Sequence, residues 1–141
     1  MLKSLDLARV LLVGDELASR LTLQTILQAG GYSVDVAASA DEAIGKLDEG
    51  QYELVLSEQE MESREAGMRV LSHARVKDYR PATAFVTAYK DAKAFRYPAA
   101  DEQQVSINAE DVSDLLSKVA DLIGRRAHRR ARRSTARAAQ G

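Results

Sequence analysis

The chain has no cysteine, no tryptophan and only two prolines in 141 residues. Without cysteine, disulfides, thiolate metal sites and cysteine nucleophiles are excluded. Aromatic residues make up 5% of the chain, so the core must be built from Leu, Val, Ile and Ala. No apolar run approaches the roughly 20 residues of a membrane span, and residues 1–6 lack the long apolar core of a signal peptide. A soluble, cytoplasmic protein with no membrane contact is the expectation. Acid is missing from one part of the chain altogether. Residues 124–141 hold seven Arg and neither Asp nor Glu, a net of +7, while residues 1–123 hold all 21 acids and 13 of the 20 Lys and Arg, a net of -8. The overall charge of -1 conceals this split, which marks an acidic domain over 1–123 and a basic tail over 124–141. The use of Arg alone leans toward phosphate or carboxylate contacts.

What is present alternates. With 45% apolar residues the chain can bury a core, and its length fits one domain. Residues 8–13 are a near-continuous apolar run, as in a strand covered on both faces. Leu17, Leu21, Ile26 and Leu27 follow at helical spacing, with Gly30 and Gly31 as a C-terminal cap. Residues 32–36 alternate like a strand, and Ser39 with Glu42 makes a capping box for a helix closed by Gly50. Residues 52–57 read as the central strand, and 67–77 as a helix with Met68, Leu71 and Ala74 on one side. Pro81 bars a helix and begins a strand over 82–87, a weak helix over 89–97 stops at Pro98, and 105–107 is a short last strand. Residues 109–123 form an amphipathic helix that turns Val112, Leu115, Leu116, Val119, Leu122 and Ile123 inward. Right-handed crossovers wind such a (βα)5 chain into a doubly wound, parallel five-stranded α/β sheet. Gly124 is a candidate end for the last helix. Beyond it, Arg and Ala dominate, both good helix formers, but no apolar stripe continues. The tail is therefore either an exposed helical extension or a disordered arm, and its removal beyond Gly124 is expected to cost the fold little.

Three of these strands end in polar groups: Asp15 and Glu16 after the first, Glu58 after the central one, and Thr87 after the fourth. Polar groups at the C-terminal ends of parallel strands describe the active edge of an open α/β sheet. Asp15 and Glu16 also suit the N-terminus of the helix that follows, where the dipole favours anions. His73 lies among polar neighbours and is expected at the surface, as is His128 inside the tail.

Over about residues 8–123 this pattern resembles the receiver domain of bacterial response regulators, a CheY-like, flavodoxin-like fold. The resemblance rests on Val10-Leu11-Leu12-Val13, Asp15-Glu16, Tyr52 to Leu56, Met61, Gly67, Thr87-Ala88-Tyr89 and Asp91. Receivers carry an acidic pair after the first strand, a phosphoacceptor Asp after the third, a Ser or Thr after the fourth and Lys-Pro after the fifth. This chain departs from them at the chemistry. Gly14 takes the first acidic position and Asp15 the second, Glu58 stands at the phosphoacceptor position, Thr87 keeps the hydroxyl, Asn108-Ala109 replaces Lys-Pro, and Val105 replaces the switch aromatic. Met61-Glu62 stands where Met-Pro is usual.

The resemblance implies Mg²⁺-dependent phosphorylation, for which Asp15 and Glu58 are the remaining metal candidates. Phosphoryl transfer depends almost wholly on positioning and charge stabilisation. With Gly14, Glu58 and Asn108 altered, little of it should survive, and the extra methylene of Glu58 is expected to push its carboxylate outward. Glu58 is then either a partial mimic of an aspartyl phosphate, within reach of Thr87 or Asn108, or a surviving solvent-facing acid. The expectation is a degenerate receiver: not an enzyme, with no cofactor beyond weak Mg²⁺. Its role would be a phosphorylation-independent protein-interaction module that docks a signalling partner, or a second copy, through the face at about 90–123. One rival is a receiver that still takes phosphate in a phosphorelay. The other is nonspecific nucleic-acid binding through Arg125, Arg126, Arg129, Arg130, Arg132, Arg133 and Arg137. The tail is otherwise a linker or a docking helix.

Overall fold

The computed structural model describes residues 7–59, 61–87, 105–108 and 111–140. Five parallel strands, β1 (Arg9–Val13), β2 (Ser33–Ala37), β3 (Leu54–Glu58), β4 (Ala82–Thr87) and β5 (Val105–Asn108), form one sheet in the order β2-β1-β3-β4-β5. The helices are α1 (Leu17–Ala29), α2 (Ala40–Glu49), α3 (Arg64–Arg75) and α4 (Val112–Gln140). The apolar runs of β1 and β3 are covered on both faces, as parallel strands require. Leu11, Val13 and Val55 pack toward α2 and α3, whereas Val10, Leu12, Leu54 and Leu56 pack toward α1 and α4. The doubly wound α/β sheet expected from the alternation is the fold of the chain. The helix expected over 89–97 lies outside the described residues.

Local chemistry explains the element ends. Ser39 Oγ accepts from the Glu42 N–H at 3.1 Å, and Glu42 reaches back to the Ala38 N–H at 2.8 Å, which starts α2. Gly31, at φ 99°, turns the chain out of α1 into β2. The third helix begins three residues before Gly67, because Ser63 accepts from the Ala66 N–H at 3.2 Å. Its buried positions are Ala66, Val70, Leu71 and Ala74, with Met68 at the margin.

Other sequence expectations need correction. On α1 the buried residues are Leu23 and Leu27, while Leu17 and Leu21 stand 58% and 50% exposed. His73 is half-buried rather than at the surface, and its Nε2 lies 2.8 Å from the Asp48 carboxylate, which also receives Lys77 at 2.7 Å. Gly124 does not end the last helix, which runs unbroken to Gln140. No N–H or carbonyl is released there, and a Cβ at Gly124 would meet nothing within 4 Å. Arg126 departs furthest from expectation. It is 8% exposed, its Nη2 donates to the Tyr79 carbonyl at 2.7 Å and its Nε to the Arg80 carbonyl at 3.0 Å. Arg130 adds a bond to the Tyr79 carbonyl at 3.3 Å. Arg80 has φ 42°, a left-handed backbone that a non-glycine residue adopts only under constraint. Arg126 thus ties α4 to the tight turn that feeds β4, and it is an anchor of the fold rather than a free cation of the tail.

Candidate functional site

The sheet order reverses beside β1, so the crevice at the C-terminal ends of β1 and β3 is where such folds bind ligands. Val13 pairs with Ser57, which sets Gly14 beside Glu58 at that point. The Gly14 N–H is held by the Ala37 carbonyl at 3.0 Å, and its own carbonyl accepts from Arg20 Nη1 at 2.7 Å. Arg20, on the second turn of α1, was not singled out from the sequence. Its only signal there is a cation one helical turn past the acidic pair. Asp15 and Glu16 are exposed. Glu16 caps α1 by position without a side-chain bond to the backbone, and it accepts from Ser19 Oγ instead.

Glu58 does not point outward, and it is not solvent-facing. It is 5% exposed and folds back across the sheet edge onto Gly14. A Cβ built on Gly14 would collide with Glu58 Oε2 and stand 2.8 Å from Cδ. The extra methylene of Glu58 and the missing side chain of Gly14 are therefore complementary: one fills the space that the other leaves. Oε2 is buried with no hydrogen-bond partner among the described residues. An ionised carboxylate in such a place loses its hydration without compensation. Burial, with Asp15 and Glu16 adding repulsion and Arg20 opposing, raises the Glu58 pKa from the ordinary 4.5 to about 7.

At the far side of the crevice the strands place the remaining sequence candidates in register: Glu58 pairs with Val86, and Thr87 with Asn108. The side chains of Thr87, Val105 and Asn108 lie outside the described residues, and so does any reach of Glu58 toward them. Gly67 lets α3 approach this edge closely, since a Cβ there would stand 2.7 Å from the Glu58 carbonyl.

A hard divalent cation needs several oxygen ligands in near-octahedral array. Among the described residues no three His, Cys, Asp or Glu side chains are grouped to hold a metal ion. Gly14 supplies no oxygen from a side chain, and the Glu58 carboxylate is turned into the Gly14 space. Among the described residues the donor set does not fit Mg²⁺.

An open parallel sheet with an acidic crevice at its switch point defines the class of protein, and sequence comparison gives the family. The model of the response regulator receiver domain matches residues 10–120, and the chain belongs to that family. No curated protein matches it. Among solved structures it is similar to the response regulator protein TrrA from Thermotoga maritima in complex with Mg(2+)-BeF, at 26% identity and TM-score 0.65 over 82% of this chain and 98% of that one. It is also similar to a chain in the complex of histidine kinase ThkA with TrrA, at 29% identity and TM-score 0.67, covering 82% of this chain and 97% of that one. A CheY-like receiver domain protein from Methanospirillum hungatei JF-1 shares the fold at 22% identity and TM-score 0.69, covering 88% of this chain and 99% of that one. The protein is thus a receiver domain of two-component signalling. Among the described residues no helix is long and apolar enough to cross a membrane.

Proposed function

We propose that this chain is an atypical receiver, a cytoplasmic protein-interaction module of bacterial two-component-type signal transduction that works without phosphorylation. One observation carries the reading: Glu58, at the end of β3, is buried and occupies the space over Gly14 that a side chain at that position would need. Its raised pKa keeps Glu58 partly protonated near neutral pH. It serves as a space-filling carboxyl rather than a dianionic phosphate mimic. The receiver unit is 1–123, and the residues beyond it are an extension of its last helix.

The complex of ThkA with TrrA supports a signalling protein as the partner class. The face at about 90–123 is one docking surface, of which 105–108 and 111–123 are described. The exposed Leu17 and Leu21 on α1, the helix that follows the acidic pair, offer a second apolar contact.

Incubation with acetyl phosphate and Mg²⁺ is expected to leave the intact mass unchanged. A stoichiometric gain of one phosphoryl group would return the chain to the phosphorelay reading. Millimolar Mg²⁺ is expected to shift the melting temperature little, since a ligand at its own Kd adds only ~0.4 kcal/mol. A large shift that disappears in Asp15→Ala would contradict this. The triple change Gly14→Asp, Glu58→Asp, Asn108→Lys should make the melting temperature respond to Mg²⁺.

A further inference from the structure

The seven Arg beyond Gly124 are not scattered around α4. At 3.6 residues per turn, Arg125, Arg126, Arg129, Arg130, Arg132, Arg133 and Arg137 fall within an arc of about 160°. That arc is the side on which Leu115 and Val119 enter the core. Past the end of the sheet, the core-facing side of the helix therefore becomes an Arg face. Arg126 and Arg130 use it to hold the Tyr79 and Arg80 carbonyls. This fixes α4 where it leaves the domain, and the helix continues for about 25 Å from Gly124 to Gln140 at 1.5 Å per residue. Arg129 and Arg132 are exposed, and Arg125 is paired with Asp121 at 2.9 Å. Because α4 runs back from the end of β5 to the turn before β4, the extension leaves from the end of the sheet opposite Glu58.

An Arg face needs an anionic partner. Five acids of the described surface already hold cations: Asp35 with Arg9, Asp41 with Arg69, Asp48 with His73 and Lys77, Asp114 with Lys118 and Asp121 with Arg125. No bulky apolar residue follows Ile123, so the extension lacks the face that would enter a lipid bilayer. A dense, regular row of unpaired anions on a rod matches the geometry better, and a nucleic-acid backbone is such a row. Guanidinium forks suit phosphate oxygens. With no aromatic among residues 124–141 there is no stacking platform, so base identity goes unread.

We propose that the distal turns of α4 form a sequence-nonspecific docking surface for nucleic-acid backbone, with Arg129, Arg132, Arg133 and Arg137 as the phosphate-contacting set and Arg126 and Arg130 as its anchor. The test is gel retardation of short duplexes of two unrelated sequences by the full chain, across a salt series. The comparison is a variant carrying Arg129→Gln, Arg132→Gln, Arg133→Gln and Arg137→Gln. Four contacts give a log–log salt slope of about -3.6, or roughly a hundredfold loss of affinity between 50 and 200 mM salt. Both duplexes should bind alike, and the variant should lose retardation while keeping its melting temperature. Three results would overturn the proposal: no retardation by the full chain at 50 mM salt, equal binding by the variant, or binding to anionic vesicles as tight as to the duplex. Low-salt sedimentation without nucleic acid is a further arm, in which a monomer is expected. Association that the four substitutions abolish would assign the Arg face to a second copy instead.

Discussion

Glu58→Gln is expected to remove most of the pH dependence of stability between about pH 4.5 and 7. The wild-type carboxyl has a pKa raised from 4.5 to about 7 by burial and by Asp15 and Glu16. The folded state thus holds its proton more tightly than the unfolded chain. The contribution of Glu58 is fully present below pH 4.5, fades as pH rises through 7, and is absent above it. A shift of this size corresponds to roughly 3 kcal/mol between the two limits. Denaturant unfolding at a series of pH values should therefore show wild-type stability falling from pH 5 to 8, with the Glu58→Gln variant nearly flat over the same range. Below pH 3.8 the trend reverses for both proteins. The Asp35 pKa is lowered, first by the Tyr52 hydroxyl and then by Arg9, and its stabilisation is lost as that carboxylate is protonated. Gly14→Ala tests the same contact from the other side. The new Cβ must displace the end of the Glu58 side chain, which is flexible, so the cost in stability should be modest, about 1–2 kcal/mol. Expelled toward solvent, Glu58 should recover an ordinary pKa, and the pH dependence should shrink as it does in the Glu58→Gln variant. If Gly14→Ala and Glu58→Gln each left the pH profile of the wild type in place, the contact between these residues would not control the titration.

Arg126→Ala is expected to cost about 2 kcal/mol, because it strips two carbonyls of a charged donor at the turn before β4. The neighbouring Arg129→Ala should change stability by less than about 0.5 kcal/mol, as expected for an exposed site. Truncation is the sharper comparison. A chain ending at Gly124 loses both Arg126 and Arg130 and should melt roughly 5–10 °C lower, whereas one ending at Ala131 keeps both and should melt close to the full chain. Arg126→Lys separates charge from geometry. A single ammonium cannot reproduce the Nε and Nη2 pair of bonds, so Lys should recover only part of the loss. Equal melting of the two truncations would show that Arg126 is held by the fold without holding it.

The alternation of apolar runs and capped helical segments was enough to specify the strands, their parallel pairing and a sheet covered on both faces. Those features depend on periodicity and on local caps such as Ser39 with Glu42, which are properties of neighbouring residues. The three strand ends carrying Asp15, Glu58 and Thr87 were legible for the same reason: a strand that stops delivers its last side chain to the edge. Gly14 and Glu58 stand out in the sequence as well, but their relation was not legible there. Read singly, Gly14 is a lost ligand and Glu58 a longer acid that reaches outward. Only the pairing of β1 with β3 sets them side by side, so that the carboxylate folds into the space without a Cβ and loses its water. The anchor is a second case. In the sequence Arg126 is one of seven like residues, and Gly124 is a reasonable helix end. The carbonyls that Arg126 satisfies belong to Tyr79 and Arg80, 47 and 46 residues away. Nothing local records that the turn before β4 meets the last helix. The composition of the chain determined that it carries an Arg-rich end. Tertiary contact decided which of those cations hold the fold and which remain exposed.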